Sequence, residues 1–313
     1  MRLLITGVHG FVGSNLVRAF SNEYVIYGLD VIAPEKEGVV KTYSWDDLDA
    51  GRVPSVDAII HLAGKAHDTK NQAAAEVYFK VNTGLTQKIF DYFCSHQEIK
   101  KFVFFSTAKA AADKVEGVLT EDEVPSPVGP YGESKIAAEK YIQEHLPLDK
   151  QVYIFRPCMI HGPGNKGNLN LLYNVVKKGI PGPLGAFENR RTFTSIENVC
   201  FAVNGVLTKD IPSGIYNMGD DEALSTNELI EEICESLSKK ARIWRLPKGL
   251  MNGIAKVGGW LHLPLDPERL RKLTENYVSS NVKIKKALGV ERMPVSAREG
   301  LKVTLESFND IRQ

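Results

Sequence analysis

Tyr131 and Lys135 are the two residues whose types and spacing most directly suggest chemistry. Side chains four residues apart lie on one face of an α-helix, so a helix that begins near Tyr131 would bring the two together. A free tyrosine phenol has a pKa of about 10 and is a poor base at neutral pH. A neighbouring ammonium group favours the phenolate and lowers that pKa. The pair therefore predicts a tyrosine that acts as acid and base, with Lys135 as its partner.

Two hydroxyl side chains follow a predicted strand upstream of this pair. Ser106 and Thr107 come directly after the apolar run of residues 102–105. In an open parallel sheet, ligands bind beyond the carboxyl ends of the strands. A hydroxyl at that edge can hold a substrate oxygen beside Tyr131, although such hydroxyls also form turns and cap chain ends. We favour the first interpretation because Tyr131 and Lys135 are both present.

A glycine-rich turn separates the first apolar run from a predicted helix. Its glycines are Gly7, Gly10 and Gly13. They would let the backbone approach a diphosphate closely, while the helix start, with the N–H groups of Phe11 and Val12, faces the anion. The spacing is not the usual GxGxxG, so tight helix–strand packing is an alternative reason for the glycines. The turn predicts a dinucleotide-binding site.

An acid closes the second predicted strand, residues 24–29. Asp30 can accept hydrogen bonds from both ribose hydroxyls of NAD, and it would repel the 2′-phosphate of NADP. No Arg or Lys follows at once to neutralise that phosphate. We therefore predict NAD as the cofactor, and a cap or turn acid is the alternative reading of Asp30.

Four further residues suit contacts with the same ligand. Asp47 would accept from the adenine amino group with Leu48 against the ring, but a solvated loop acid explains Asp47 equally well. Leu62 and Ala63 end a strand, where they would let the cofactor lie over the sheet edge. We expect the adjacent His61 to be a buried, hydrogen-bonded core residue rather than a catalyst.

Short apolar runs alternate with helical patterns through the first half of the chain. Nearly continuous apolar strands are typical of a parallel sheet covered by helices on both faces, and here they are residues 2–6, 24–29, 58–62, 102–105 and 152–155. The predicted helices are residues 11–21, 73–93 and 136–146. The expected fold class is therefore α/β, a Rossmann-type doubly wound parallel sheet with a smaller C-terminal substrate-binding lobe.

The domain organisation follows from a change in composition after Pro157. We expect an NAD-binding domain at residues 1–160. Residues 161–313 would form mainly a substrate-binding lobe, with some segments returning to the large domain. The stretch of residues 161–189 is rich in Gly, Pro and Asn, so we expect it to be a loop.

Composition excludes several classes of function. The formal net charge is +1, which does not indicate nucleic acid as a partner. The four cysteines are scattered without a CxxC pair, so we expect neither a metal site nor a disulfide framework. The N-terminus lacks a secretory pattern, and no apolar run reaches the roughly 18 residues that span a bilayer. We expect a cytoplasmic protein, with residues 249–265 as a lobe helix or, alternatively, a membrane-surface contact.

These motifs follow one another in the order and spacing of the extended short-chain dehydrogenases/reductases, and the resemblance covers essentially the whole chain. It rests on the glycine turn, Asp30, residues 61–64, Asn82, Ser106 with Thr107, Tyr131 with Lys135, Arg156 with Pro157, and residues 161–164. The sequence most resembles the UDP-glucose 4-epimerase group. Residues 179–193 resemble a branch that holds both 4-epimerases and reductases of UDP-4-keto-6-deoxy-N-acetylglucosamine.

The resemblance implies an enzyme in which Thr107, Tyr131 and Lys135 are catalytic. The first hypothesis is a 4-epimerase of UDP-glucose or UDP-N-acetylglucosamine that oxidises C4 transiently with retained NAD. The second is a 4-ketoreductase that uses the same residues once with NAD(P)H. A hypothesis of another class is a non-catalytic NAD-binding module.

The resemblance also implies how a UDP-sugar substrate is held. Asn168 falls where the family contacts the nucleotide, and Arg191 falls where it holds the diphosphate, with Arg271 as a second phosphate candidate. Arginine suits this role because it forms bidentate, charge-assisted bonds to phosphate. Ser106 is the fourth substrate-binding candidate. A homodimer through residues 73–93 and the helix after Tyr131 is common in the family.

Three departures from the family pattern bear on specificity. His161 stands where many relatives have Tyr near the nicotinamide, which puts a cofactor contact there in doubt. Lys109 and three alanines replace a common Val-Tyr-Gly turn, so the sugar pocket is expected to differ. Ala108 and Lys109 also stand where dehydratases carry two acids, which disfavours the removal of water from the sugar.

Overall fold

The structure is a computed structural model that describes residues 1–32, 34–66, 74–165, 167–261 and 265–310. The strands are β1 (Arg2–Thr6), β2 (Val25–Leu29), β3 (Lys41–Tyr43), β4 (Ala58–His61), β5 (Lys101–Phe105), β6 (Val118–Leu119), β7 (Gln151–Pro157), β8 (Met159–His161), β9 (Arg191–Ser195), β10 (Gly214–Met218), β11 (Ala223–Leu224) and β12 (Val278–Ser279). The helices are α1 (Phe11–Phe20), α2 (Trp45–Asp49), α3 (Ala75–Tyr78), a π-helix (Phe79–Gly84), α4 (Leu85–Ser95), α5 (Ala108–Ala111), α6 (Pro130–Glu144), α7 (Asn168–Lys177), α8 (Ile196–Thr208), α9 (Thr226–Ser236), α10 (Lys248–Trp260), α11 (Pro267–Thr274), α12 (Val282–Leu288) and α13 (Ala297–Asp310).

Seven strands form the central sheet in the order β10-β7-β5-β4-β1-β2-β3. Every neighbouring pair in this sheet is parallel. In β1, Leu3 is paired with Ile26 on one side and with Ala58 on the other. The predicted α/β class with a doubly wound parallel sheet is confirmed.

Two apolar cores cover the two faces of this sheet, because successive side chains of a strand point to opposite faces. Leu3 and Ile5 of β1 pack with α1, α8 and α12 on one face. Leu4 and Ile59 pack with α4 and α6 on the other face. Burial on both faces explains why these strands are continuous apolar runs rather than alternating ones.

The second half of the chain contributes to both parts of the molecule. The three-stranded sheet β11-β9-β8 and helices α7, α9 and α13 surround a separate core. In contrast, β10 is the edge strand of the large sheet, and α8 and α12 pack on that sheet. The division into an NAD-binding domain of residues 1–160 and a lobe of residues 161–313 stays a proposal.

The helix predicted over residues 73–93 is not one regular helix. Within the described residues it consists of α3, the π-helix and α4, while residue 73 lies outside them. The Thr86 hydroxyl donates to the Asn82 carbonyl oxygen at 2.6 Å. A regular α-helix would give that carbonyl to the backbone N–H of Thr86. The side-chain bond thus accompanies a widened turn, which apolar spacing alone does not reveal.

Two other boundaries differ from the sequence prediction. Helix α6 begins at Pro130 rather than at residue 136, since proline suits the first position of a helix. Helix α7 lies within residues 161–189, which we expected to be a loop, so that expectation is wrong for this part. Its Leu169, Tyr173 and Val176 recur at helical spacing and are buried in the lobe core, which offsets the loop-like composition.

Candidate active site

Thr107, Tyr131 and Lys135 come together at the carboxyl end of β5. Thr107 follows this strand and caps the start of α5, while the other two residues lie one turn apart on α6. The Thr107 side chain is close enough to the Tyr131 phenol to act on its pKa. The Lys135 ammonium donates to the Phe105 carbonyl oxygen at 2.8 Å. The three predicted catalytic side chains therefore share one site.

Burial sets the proton affinities of the two titratable groups. It raises the pKa of the Tyr131 phenol, and the Thr107 side chain acts in the opposite direction. Burial lowers the pKa of Lys135 to about 8, while the nearby Glu139 carboxylate raises it. Lys135 is therefore mostly protonated at neutral pH, but close enough to its pKa to lose the proton in mild alkali.

A buried ion pair lies behind Lys135. Glu139 follows Lys135 by one helical turn, and its Oε2 is 2.6 Å from Arg156 Nη2 on β7. The Ser106 hydroxyl, which we predicted to bind substrate, donates to the same Glu139 carboxylate. The structure thus places Ser106 on this ion pair rather than in a hydrogen bond with Thr107 or Tyr131. Sequence reasoning missed Glu139, although its spacing of four residues from Lys135 was a usable signal.

Asn82 is a second residue to which sequence reasoning gave no role. It lies in the π-helix, accepts from the Lys65 N–H at 2.7 Å and donates to the Ser134 hydroxyl at 2.9 Å. A Cβ atom built on Gly64 would lie 3.0 Å from Asn82 Oδ1 and 3.2 Å from Lys135 Nζ. Asn82 is therefore a neighbour of Lys135, and glycine at position 64 keeps the space between strand β4 and these side chains open.

The glycine turn after β1 forms a cradle lined by backbone. Gly7 has a φ of +68°, which favours glycine, and its Cβ would lie 2.9 Å from the Ala63 nitrogen. A Cβ on Gly13 would meet the Gly7 carbonyl oxygen at 2.5 Å. Gly10 is the N-cap residue and carries no side chain to cap the first N–H groups of α1, which by helix geometry have no partner within the helix. The N–H groups of Phe11, Val12 and Gly13 fit the diphosphate of a dinucleotide.

Asp30 lies beside this cradle at the end of β2. Its carboxylate accepts from the His9 N–H at 3.0 Å and from the Val31 N–H at 2.8 Å. On the other side of β1, the N–H groups of Leu62 and Ala63, which directly follow β4, donate to the Thr6 hydroxyl at 3.2 and 3.0 Å. These bonds bring the ends of β1, β2 and β4 to one edge, where a bound NAD would lie.

Asp47 and Leu48 are engaged within the protein. Asp47 completes a capping box with Ser44 at the start of α2 and pairs with Arg52 at 2.6 Å. Hydrogen bonds from Ser44 and Arg52 lower the pKa of Asp47 to about 2. Leu48 is buried in the core between the sheet and helices α4 and α6. The adenine contacts of both residues stay predictions, and Asp47 lies in helix α2 rather than in a loop, as the alternative reading had it.

The predicted phosphate-binding arginines lie close to each other. Arg191 on β9 donates to the Lys272 carbonyl oxygen on α11, and burial lowers its pKa. Arg271, on the same helix, contacts Asp113 at 3.2 Å and Glu275 at 3.1 Å. Lys109 joins this cluster through a 3.0 Å contact with Asp113. Lys109 is one of the residues that replace the family's usual turn after β5. It is thus linked to Arg271 through their shared partner Asp113.

The remaining predicted site residues are spread more widely. Asn168 is exposed as the first residue of α7. His61 is fully buried between the Thr6 and Thr86 hydroxyls at 2.6 and 2.9 Å, so its assignment to the core is confirmed. His161 is also buried, and its Nδ1 lies 2.9 Å from the Thr304 hydroxyl of α13.

Within the ranges given above, no group of three or more His, Cys, Asp or Glu side chains is placed to hold a metal ion. None of the helices in the described part of the chain combines the length and apolarity needed to cross a membrane.

The fold and the site define an extended short-chain dehydrogenase/reductase that binds NAD. Comparison with known families is more specific, because the model of the NAD dependent epimerase/dehydratase family matches residues 3–219. The chain belongs to this family, and its members act on nucleotide sugars. The prediction of NAD as cofactor is thereby confirmed.

Individual relatives are similar over most of the chain. It is 30% identical to a UDP-glucose 4-epimerase of Vibrio cholerae, covering 98% of this chain and 95% of the relative. It is 26% identical to an N-acetyl-alpha-D-glucosaminyl-diphospho-ditrans,octacis-undecaprenol 4-epimerase of Escherichia coli O157:H7, covering 91% and 84%. Its fold is similar to the crystal structure of a Bacillus cereus UDP-glucuronic acid 4-epimerase in complex with NAD, with a TM-score of 0.77 at 21% identity over the full length of both chains.

Proposed function

We propose that this protein is a nucleotide-sugar 4-epimerase of the UDP-glucose or UDP-N-acetylglucosamine type, which works by transient oxidation at C4. The observation that carries the proposal is the convergence of Thr107, Tyr131 and Lys135 at the carboxyl end of β5, where Thr107 acts to lower the pKa of the Tyr131 phenol and Lys135 lies one turn from it on the same helix. A binding-only protein has no need of all three groups. The names of the Vibrio and Escherichia relatives, both 4-epimerases, support the same reaction.

The proton chemistry belongs to Tyr131. Its phenolate removes the proton from the sugar 4-hydroxyl while Thr107 holds that oxygen, and the C4–O bond becomes a carbonyl. Bound NAD supplies the acceptor and the donor of the C4 hydride. After the keto sugar has turned so that the other face of its C4 carbonyl meets the cofactor, Tyr131 returns the proton to the C4 oxygen. Lys135 stabilises the phenolate because a neighbouring positive charge favours the anionic form.

The nucleotide must stay bound while the sugar turns. We assign the diphosphate to Arg191, with Arg271 as a second contact and Asn168 on the nucleotide. Arg271 would exchange part of its contact with Asp113 and Glu275 for phosphate, which accepts charge-assisted hydrogen bonds of the same kind. The binding energy would come from the nucleotide diphosphate, which does not rotate. The sugar pocket can then bind weakly and accept both epimers.

Alternative reactions use the same side chains differently. A 4-ketoreductase would pass hydride and the Tyr131 proton once to an existing keto sugar. Residues 179–193 keep this second candidate open, because they resemble a branch that holds both 4-epimerases and such reductases. Asp30 favours NAD over NADP. This preference supports an epimerase, which regenerates its cofactor internally, over a reductase, which consumes it. A dehydratase is disfavoured because Ala108 and Lys109 offer no acid beside Thr107.

The assembly and location stay predictions. Homodimerisation would use α4 and α6, which lie side by side on one face of the large sheet. A cytoplasmic location is expected for an enzyme that uses a nucleotide sugar and NAD.

The proposal is tested by NMR of the purified protein with UDP-glucose or UDP-N-acetylglucosamine and no added nucleotide. Formation of the C4 epimer supports a 4-epimerase with retained NAD, and the faster substrate reports whether an N-acetyl group is accepted. If no epimer forms, even after NAD is added, the epimerase proposal is wrong. Consumption of UDP-4-keto-6-deoxy-N-acetylglucosamine with NADH or NADPH would then establish the reductase.

A further inference from the structure

Helix α10 presents an apolar face to solvent. Leu250, Ile254, Val257 and Leu261 recur at spacings of four, three and four residues, so they form one stripe along the helix and its C-terminal end. With Trp260 they range from 44% to 80% exposed. We call these five side chains the α10 surface. Single exposed apolar residues are ordinary, but a continuous stripe of this kind marks a surface that contacts something else.

A different face of α10 fixes the helix to the protein. Met251 and Ala255 are buried and pack with Leu184 and Leu270 in a small core. Gly258, on the same face, is also buried. The exposed stripe therefore belongs to an anchored helix whose orientation is set by this core.

The segment that contains α10 is strongly basic. Between residues 239 and 261 there is no acidic residue, whereas the basic residues are Lys239, Lys240, Arg242, Arg245, Lys248 and Lys256. All six are exposed. The whole chain carries a formal charge of only +1, so this positive charge is a local feature. Acidic side chains begin again at Asp266, next to α11.

Aromatic composition adds a third observation. The chain has three tryptophans, and two of them, Trp244 and Trp260, are exposed in this segment at 56% and 80%. Trp244 is held in place because its backbone N–H donates to the Gly182 carbonyl oxygen at 2.8 Å. Tryptophan side chains prefer the boundary between water and the hydrocarbon of a bilayer.

We propose that the α10 surface docks the protein onto a bilayer that contains anionic phospholipid. An amphipathic helix with apolar and aromatic residues on one face and lysines elsewhere is the form that lies in a membrane interface. Basic side chains beside it gain from the negative potential of the lipid headgroups. The binding would be peripheral and reversible, with the stripe in the headgroup region and no residue crossing the membrane.

The charge favours a bilayer over a second copy of this chain. A two-fold symmetric contact places the same surface on both subunits. Here it would bring two basic segments together, and neither has an acidic residue between positions 239 and 261 to neutralise the other. An anionic lipid surface supplies the opposite charge.

The α10 surface is connected to the candidate active site through α11. Leu270 of that helix packs against α10, and the next residue, Arg271, is a predicted phosphate contact. The Lys272 carbonyl oxygen accepts from Arg191. Docking through α10 would therefore hold the diphosphate side of the site near the membrane surface.

The test is co-sedimentation of the full chain with vesicles, followed by tryptophan fluorescence. We expect the amount of protein that sediments with vesicles of equal parts phosphatidylcholine and phosphatidylglycerol to be about tenfold or more above the amount that sediments with phosphatidylcholine alone. Binding should fall as salt is added, and the tryptophan emission should shift to shorter wavelength on the anionic vesicles. Equal binding to both vesicle types, or no binding to either, would overturn the proposal.

Matched variants locate the contact. Leu250→Glu with Trp260→Glu should reduce vesicle binding about tenfold or more, whereas Leu148→Glu, at a fully exposed leucine outside the segment, should not. Lys256→Gln, at an exposed position one turn before Trp260, should weaken binding to anionic vesicles by several-fold, and Lys140→Gln on α6 should leave it unchanged. Retained NAD binding shows that each variant is folded. If the glutamate variants bind vesicles like the parent, or if they only abolish a dimer seen by light scattering, α10 is not a membrane contact.

Discussion

Glu139 Oε2 and Arg156 Nη2 lie 2.6 Å apart in a fully buried ion pair, one helical turn behind Lys135. The Glu139 carboxylate raises the pKa of Lys135, against the larger effect of burial, which lowers it to about 8. In the proposed reaction the Glu139 carboxylate would act through Lys135, because it helps to keep the ammonium protonated. We treat Glu139 as a positioning residue.

Glu139→Gln should shift the alkaline limb of the pH profile. In the parent protein we expect turnover to fall above about pH 8, as Lys135 loses the proton that favours the Tyr131 phenolate. Without the carboxylate, the pKa of Lys135 falls and this limb moves to lower pH. The unpaired Arg156 should also lower the free energy of unfolding by about 3 kcal/mol. Profiles of kcat/KM against pH and denaturant titrations measure both effects, with the exposed Glu144→Gln as control. An unmoved limb would refute this role.

Tyr131→Phe should separate binding from chemistry. We expect turnover to fall by about a thousandfold, since the variant lacks the acid–base group. NAD binding should persist, because the backbone cradle after β1 is untouched. The control is Tyr141→Phe on the same helix. Its hydroxyl donates to Asp91 at a distance of 2.6 Å, and this contact lies outside the candidate active site. Normal turnover of Tyr131→Phe would show that the mechanism is assigned to the wrong residue.

Arg191→Gln should weaken the hold on the nucleotide diphosphate. We expect KM for the nucleotide sugar to rise about tenfold or more with a smaller change in kcat, because a charge-assisted hydrogen bond contributes about 1.5–3 kcal/mol. The adjacent Arg190→Gln is a close control, since Arg190 is exposed and pairs with Glu228 at 2.9 Å. Calorimetry with UDP provides an independent readout. Equal effects of the two substitutions would argue against a phosphate contact by Arg191.

Asp30→Ala should relax the choice of cofactor. Removing the carboxylate removes the acceptor for the ribose hydroxyls and the charge that repels a 2′-phosphate. We expect the ratio of NAD to NADP affinity to fall about tenfold or more, measured by calorimetry after removal of bound cofactor. Asp49→Ala serves as control, because Asp49 is exposed and pairs with Lys88 at 2.7 Å. A constant ratio would mean that Asp30 does not select the cofactor.

Local signals predicted most of the large sheet and the central site residues. Strands such as β1 and β5 are continuous apolar runs, and a parallel sheet buried on both faces requires that pattern. Tyr131 and Lys135 were recognisable because helical spacing alone puts them on one face. Gly7 and Gly13 were recognisable because a backbone cradle cannot carry side chains there.

Features that depend on distant parts of the chain were not predicted. The sequence predicted that some segments of the second half return to the large domain, but not that one of them is strand β10, which joins the edge of the large sheet beside β7. The Ser106 hydroxyl donates to Glu139, a partner that only the packing of α6 on the sheet provides. The π-helix around Asn82 depends on contacts with Lys65 and Ser134 from other elements. Hydrophobic spacing carries no information on such long-range polar contacts.

The most direct test of the central claim is the fate of the hydrogen on C4. UDP-glucose deuterated at C4 would be incubated with the purified protein, without added nucleotide, and the product analysed by NMR and mass spectrometry. If C4 is oxidised transiently and the same hydride returns in the same site, the epimer should retain essentially all of its deuterium at C4. An epimer that has exchanged its deuterium for solvent hydrogen would contradict transient oxidation with internal return of the hydride.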